Sequence, residues 1–82
     1  MKTKITLYGT SACHLCDQAF KIIQPIALSH DIAINLVDIV DNDALLDKYG
    51  LIIPVIAASE GEFLRWPFDI QQVSAFLAKI KN

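Results

Sequence analysis

Apolar and polar residues alternate across residues 4–8, Lys4-Ile5-Thr6-Leu7-Tyr8, and Gly9 closes the run. A period of two with β-branched and aromatic side chains predicts a first strand. A loop, Thr10-Ser11-Ala12, follows it. From residue 13 to about residue 30 the apolar side chains Leu15, Ala19, Phe20, Ile22, Ile23, Ile26 and Ala27 recur at helical spacing. Pro25 interrupts this helix, and a kink there or an end near Gln24 is expected because proline has no N–H to donate. Residues 32–39, IAINLVDI, form a second strand, apolar enough to be covered on both faces.

Asp41-Asn42-Asp43 supplies N-cap side chains for a short helix through Leu45, Leu46 and Tyr49, which Gly50 can end. Residues 52–58, IIPVIAA, make a third strand, with Pro54 at its beginning or edge because it cannot donate to a ladder. Ser59-Glu60-Gly61 turns the chain into a final strand over residues 62–66. Asp69, with Gln72 three residues on, reads as a capping box for a last helix that buries Ile70, Val73, Phe76, Leu77 and Ile80. The order is β-α-β-α-β-β-α. Its first strand–helix–strand unit calls for parallel pairing through a right-handed crossover. The predicted fold class is α/β, a four-stranded mixed sheet with helices on both faces.

The chain has 82 residues, which makes one small domain over 1–82. A domain of this size buries roughly two-thirds of the surface its unfolded chain exposes. Hydrophobic residues at 54% and charged residues at 20% are ample for a packed core. The net charge is −2 with both signs interspersed, so no basic face is offered to nucleic acid. The apolar part of the N-terminus is too short for a signal-peptide core. No apolar run approaches the ~20 residues that span a bilayer, so no membrane partner is expected. These features point to the cytoplasm, with a monomer expected, and in that compartment close cysteines serve catalysis or metal binding more readily than they staple a fold.

The chain has two cysteines, Cys13 and Cys16, at the start of the predicted first helix. Unsatisfied N–H groups and the positive end of the helix dipole favour an anion there, which would hold the Cys13 thiol below its ordinary pKa. With Cys13 at the N-cap, Cys16 falls at N3 and its N–H points at the Cys13 side chain. The two sulfurs then share one helical face within disulfide range, and the pair can cycle between dithiol and disulfide. Cys13 would attack, and Cys16 would resolve the mixed disulfide.

Two other readings stand beside this one. The cysteines could be small packing residues, although Cys13 would be poorly buried. They could be half of a metal site, but zinc needs four ligands and His30 lies at the far end of the same helix, which leaves only a set shared across a dimer. His14, between the cysteines, either supports the thiolate and makes the disulfide more oxidising or is a solvated first-turn residue.

In this order, the strands, the Cys13-His14-Leu15-Cys16 helix start, Ile53-Pro54 and the capped last helix resemble the glutaredoxin branch of the thioredoxin-like superfamily. More narrowly, the chain is similar to small bacterial glutaredoxin-like proteins with a Cys-His-Leu-Cys motif, over essentially its full length. The resemblance implies a cis Pro54 beside the cysteines, with the backbone of Ile53 presented to substrate as in strand addition. It also implies no resident metal or other bound cofactor, because a cis proline obstructs cluster binding at such cysteines.

The chain departs from well-known glutaredoxins at three places. His14 and Leu15 replace a Pro-Tyr pair between the cysteines. Thr10 stands where a lysine commonly binds a glutathione carboxylate. Arg65-Trp66-Pro67-Phe68-Asp69 replaces a Gly-Gly segment that approaches glutathione. Asp69 matches an acidic residue that can face the glutathione amino group, and a plain N-cap explains it equally well. Trp66 and Phe68 either wall the substrate groove or plug the end of the sheet, with the plug the better reading.

The function implied is thiol–disulfide oxidoreductase activity on protein disulfides or glutathione mixed disulfides. Glutathione is the candidate co-substrate, and thioredoxin reductase is an alternative electron donor. The competing function is a binding module of the same fold with redox-dependent affinity but no efficient glutathione-dependent turnover. The residues assigned are Cys13 and Cys16 for the chemistry, with His14, Ile53, Pro54, Trp66 and Asp69 for substrate.

Overall fold

Among the described residues the elements run β1 (Thr3–Gly9), α1 (His14–Ser29), β2 (Ile32–Asp38), α2 (Asp43–Tyr49), β3 (Val55–Ala58), β4 (Phe63–Arg65) and α3 (Ile70–Lys81). The computed structural model describes residues 3–11 and 13–81, with side chains through Ile80. Ala12 of the expected loop lies outside the described residues, as do Met1, Lys2 and Asn82.

The four strands form one sheet in the order β2-β1-β3-β4. β1 pairs in parallel with β2, from Thr3 opposite Ile32 to Gly9 opposite Asp38. On its other side β1 pairs antiparallel with β3, from Ile5 opposite Ala58 to Tyr8 opposite Val55. β3 and β4 close the antiparallel hairpin, and Gly61 supplies the positive φ of 96° that its turn requires. The expected mixed, four-stranded α/β fold is the one present.

Alternation along β1 splits the core into two layers. Ile5 and Leu7 point to one face, where α1 contributes Ala19, Ile23 and Ala27 and α3 contributes Val73 and Leu77. Tyr8 belongs to the other face, where Ile39, Tyr49 of α2 and Val55 make a smaller cluster. Tyr8 stacks on Tyr49 with ring centroids 4.6 Å apart. Helices thus cover both faces. The larger layer carries most of the apolar burial, with each fully buried Ile or Leu contributing about 1.5–3 kcal/mol.

The helix ends follow the side chains available to cap them. Asn42 accepts the Leu45 N–H at 3.0 Å and starts α2. At α3 the capping box is reciprocal: the Gln72 N–H donates to Asp69 Oδ1 at 2.8 Å, and the Asp69 N–H donates to Gln72 Oε1 at 2.9 Å. After α1, Asp31 takes a left-handed φ of 55°, a conformation its short polar side chain tolerates better than most.

Three expectations need correction, and one of two alternatives at Pro25 is excluded. β2 is not covered on both faces: it is an edge strand, and Leu36 in it is 61% exposed. Its apolar composition serves one covered face and an open rim. Pro25 does not end α1, which continues to Ser29. Lys21, whose carbonyl loses its donor, and Pro25 itself are both exposed, so water can satisfy that carbonyl.

Ile70 is 63% exposed rather than buried. Helical side chains lean toward the N-terminus, so at the first position of α3 it projects past the end of the core. The third and fourth strands are also shorter than the apolar runs suggested. Ile52 and Ile53 instead donate their N–H groups to the Tyr49 carbonyl at 2.9 and 3.1 Å.

Candidate redox site

β1 ends at Gly9, and three loop residues later Cys13 occupies the N-cap of α1 in extended conformation, φ −96° and ψ 109°. Its own N–H reaches the Thr10 carbonyl at 3.3 Å, and its carbonyl accepts the Asp17 N–H at 3.3 Å. The Cys16 N–H donates to Cys13 Sγ at 3.1 Å, so a sulfur takes the place that a Ser or Asp oxygen fills at an ordinary N-cap. The two cysteines are joined as a disulfide, with α-carbons 5.2 Å apart.

The two sulfurs differ in environment. Cys16 is 8% exposed and lies on the buried stripe of α1 with Ala19, Ile23 and Ala27, whereas Cys13 is half-buried. Two consequences follow from position alone. An anionic Cys13 sulfur is stabilised by the N-terminal end of α1 and by the Cys16 N–H. A second sulfur is already within bonding distance, so closing the ring requires little backbone motion.

The remaining assigned residues distribute unevenly around this pair. His14 is exposed, and its Nε2 lies 3.2 Å from the Gln18 amide nitrogen one turn along α1. The Ile53–Pro54 peptide bond is cis. Because Tyr8 pairs with Val55, one more step of the same register sets Pro54 across from Gly9, at the sheet end that carries the cysteines. Pro54 is fully buried and Ile53 is half-buried. The Trp66 N–H donates to the Pro54 carbonyl at 3.0 Å, which ties the end of β4 to the same edge.

Trp66 packs edge-to-face on Phe68 with centroids 5.0 Å apart. Phe68 is buried in the larger core layer, and Trp66 leans against that layer. This packing is that of a plug at the end of the sheet. Asp69 is exposed and its Oδ1 is engaged in capping α3. Among the described residues, no three His, Cys, Asp or Glu side chains converge as metal ligands.

Three features escaped the sequence reading. The Trp66–Pro67 bond is also cis; an aromatic residue before a proline was its only signal. A groove of about 460 Å³ opens between the start of α1 and the edge strand, lined in part by Leu7, Cys16, Phe20 and Leu36. It exists because β2 is at the edge, which its composition concealed. Gly9 lies directly against the Cys16 sulfur, and a strand-closing glycine had looked like simple punctuation.

A mixed four-stranded sheet with a Cys-x-x-Cys pair at the start of its first helix defines a thioredoxin-like protein. Residues 4–78 match the family model of the glutaredoxin-like domain (DUF836), and the chain belongs to that family.

Among solved structures it is similar to protein XcR50 from X. campestris, at 39% identity and a TM-score of 0.80, covering 92% of this chain and 96% of that one. Protein Ne2328 from Nitrosomonas europaea superposes with a TM-score of 0.78 at 22% identity, covering 93% of this chain and 92% of that one. A mutant thioredoxin from Halobacterium salinarum has a TM-score of 0.76 at 17% identity, covering 99% of this chain and 76% of that one. The last two likenesses speak to the fold alone. No match was found among curated proteins.

Proposed function

We propose that this protein is a dithiol-type thiol–disulfide oxidoreductase in which Cys13 attacks and Cys16 resolves. The observation that carries the reading is the 3.1 Å hydrogen bond from the Cys16 N–H to a half-exposed Cys13 sulfur at the start of α1. In the first step the Cys13 thiolate attacks one sulfur of a disulfide R–S–S–R′. A Cys13–S–S–R bond forms and R′S⁻ leaves with the electron pair of the broken bond. In the second step the Cys16 thiol gives up its proton to solvent and its sulfur attacks Cys13 Sγ. RS⁻ leaves, and the Cys13–Cys16 disulfide closes. The substrate has gained two electrons, and the protein has lost two. Two molecules of glutathione, or a dithiol reductase such as thioredoxin reductase, return them.

Burial of Cys16 supports the division of roles, since an incoming substrate reaches Cys13 first. The edge at Ile53-Pro54 is the candidate surface for substrate backbone. Protein disulfides and glutathione mixed disulfides are the proposed substrates, in the cytoplasm. The test is turnover of a glutathione mixed disulfide, alongside a thioredoxin-reductase-coupled assay, with wild type, Cys13→Ser and Cys16→Ser. Loss of all activity in Cys13→Ser is expected, with trapped mixed disulfide in Cys16→Ser. Full activity in Cys13→Ser would refute the assignment.

A second reading, a redox-dependent binding module, is favoured by one observation. The segment before α3 is bulky and packed into the core through Trp66 and Phe68, where glutaredoxins offer open glycines. Absence of turnover with every reductant, while the disulfide still forms reversibly, would select it.

A further inference from the structure

Gly9 is not a glycine for the sake of its backbone, since its φ lies outside the left-handed region. An ideal Cβ built on it would stand 2.6 Å from Cys16 Sγ and 3.2 Å from Cys16 Cβ, and among the described residues it would meet no other atom within 4 Å beyond its chain neighbours. Among the described residues, the space a side chain would need is therefore held by Cys16.

Neither backbone can yield that space readily. β1 is an inner strand: Gly9 stands opposite Asp38 in the β2 register, and its carbonyl accepts the Ile39 N–H at 3.0 Å. On the other side, Tyr8 is held opposite Val55. α1 is seated on the sheet through Ala19 and Ile23, both 0% exposed. The group left to move is the Cys16 sulfur, and its freedom depends on redox state. In the dithiol it can rotate about Cα–Cβ to another staggered position. In the disulfide it is tethered to Cys13 Sγ, which is itself placed by the N-cap geometry.

We propose that Gly9 is a positioning residue that sets the dithiol–disulfide balance. Its missing side chain is the seat of the Cys16 sulfur in the oxidised pair, and a methyl group there favours the dithiol. This rests on the redox reading of the pair. The reaction concerned is protein dithiol plus oxidised glutathione giving protein disulfide plus two reduced glutathiones, with two electrons and two protons passing to glutathione.

The test equilibrates wild type and Gly9→Ala in glutathione buffers and reads the oxidised fraction by acid quench, alkylation and intact mass. Gly9→Ala is expected to lower the equilibrium constant for disulfide formation at least tenfold, equal to a potential ~30 mV higher for a two-electron couple. Thermal unfolding of each form should show the oxidised variant losing more than the reduced one.

A constant within threefold of wild type, or equal losses in both forms, would overturn the proposal and leave Gly9 a packing residue. If Gly9→Ala does not fold, its effect is read against Cys16→Ala, which removes the sulfur and keeps only the milder contact. A folded Gly9→Ala/Cys16→Ala protein supports the seat, and an unfolded one refutes it. Failure of the wild type to form any disulfide in these buffers would instead sink the oxidoreductase reading.

Discussion

Reducing the Cys13–Cys16 bond should destabilise the protein by an amount that shrinks as pH rises from about 5 to 8. The bond joins residues three apart in sequence. For so small a ring, loop-closure entropy favours the oxidised chain by about 1.9 kcal/mol at 25 °C. The dithiol recovers part of this. A Cys13 thiolate that keeps the place of the disulfide sulfur, at the start of α1 and accepting the Cys16 N–H, gains about 1–2 kcal/mol from its charge.

A thiol held below its unfolded-state pKa contributes this stability above that unfolded value and loses it as pH falls through the folded value. The oxidised form should therefore lead by close to its full entropic margin near pH 5 and by less near pH 8. Carboxylates and histidines are present in both redox forms and cancel in the difference, and the buried Cys16 thiol, which would ionise on unfolding in base, is kept out of it by stopping at pH 8. Urea unfolding of the oxidised and reduced protein at the two pH values reads this directly. With a slope of about 1 kcal/mol/M, the midpoints should differ by about 1.5–2 M at pH 5 and draw closer by pH 8. A gap that stays constant, or widens as pH rises, would show that no anion is held at Cys13.

The remaining expectations concern the scaffold. Asp69→Ala removes the side-chain half of the capping box, the bond from the Gln72 N–H to Asp69 Oδ1, and should cost about 1 kcal/mol in denaturant unfolding. Asp69→Asn should keep most of that stability, and a raised KM for glutathione in this variant alone would reveal a ligand contact. Ile23→Ala opens a cavity where the sheet meets α1 and should cost about 2–5 kcal/mol by the same measurement. Leu36→Lys, on the exposed edge strand, should change stability by no more than about 0.5 kcal/mol; a larger loss would mean that the edge is covered in solution.

What could be read from the residues was whatever a local signal specified. The cap residues Asn42, Asp69 and Gln72 announce their helices because one side-chain oxygen and one N–H three residues on decide the matter. Cys13 at the N-cap is legible for the same reason. β2 was misjudged because a half-covered edge strand and a doubly covered central one can have the same composition; only pairing separates them. Whether Pro25 ends α1 was left open because the cost of a proline depends on whether the orphaned carbonyl meets water, which is a tertiary fact. Gly9 was invisible for a related reason, since its neighbour in space is seven residues away on another element.

Thr10 offers a last test of which electron donor the site suits. Its structural contribution is its carbonyl, which accepts the Cys13 N–H at 3.3 Å, and a carbonyl is supplied by any residue. Thr10→Lys should therefore fold as wild type does while restoring the lysine that glutaredoxins commonly direct at a glutathione carboxylate. A charge-assisted hydrogen bond at a half-exposed position is worth about 1 kcal/mol, so KM for glutathione should fall about fivefold. The same ammonium would also stabilise the Cys13 thiolate and speed every reaction of that sulfur. Iodoacetamide alkylation separates the two effects, because it reports thiolate character without a carboxylate to bind. A gain in alkylation rate with no change in KM would show that glutathione does not lie along this loop. The donor would then be sought among dithiol proteins that dock at Ile53-Pro54.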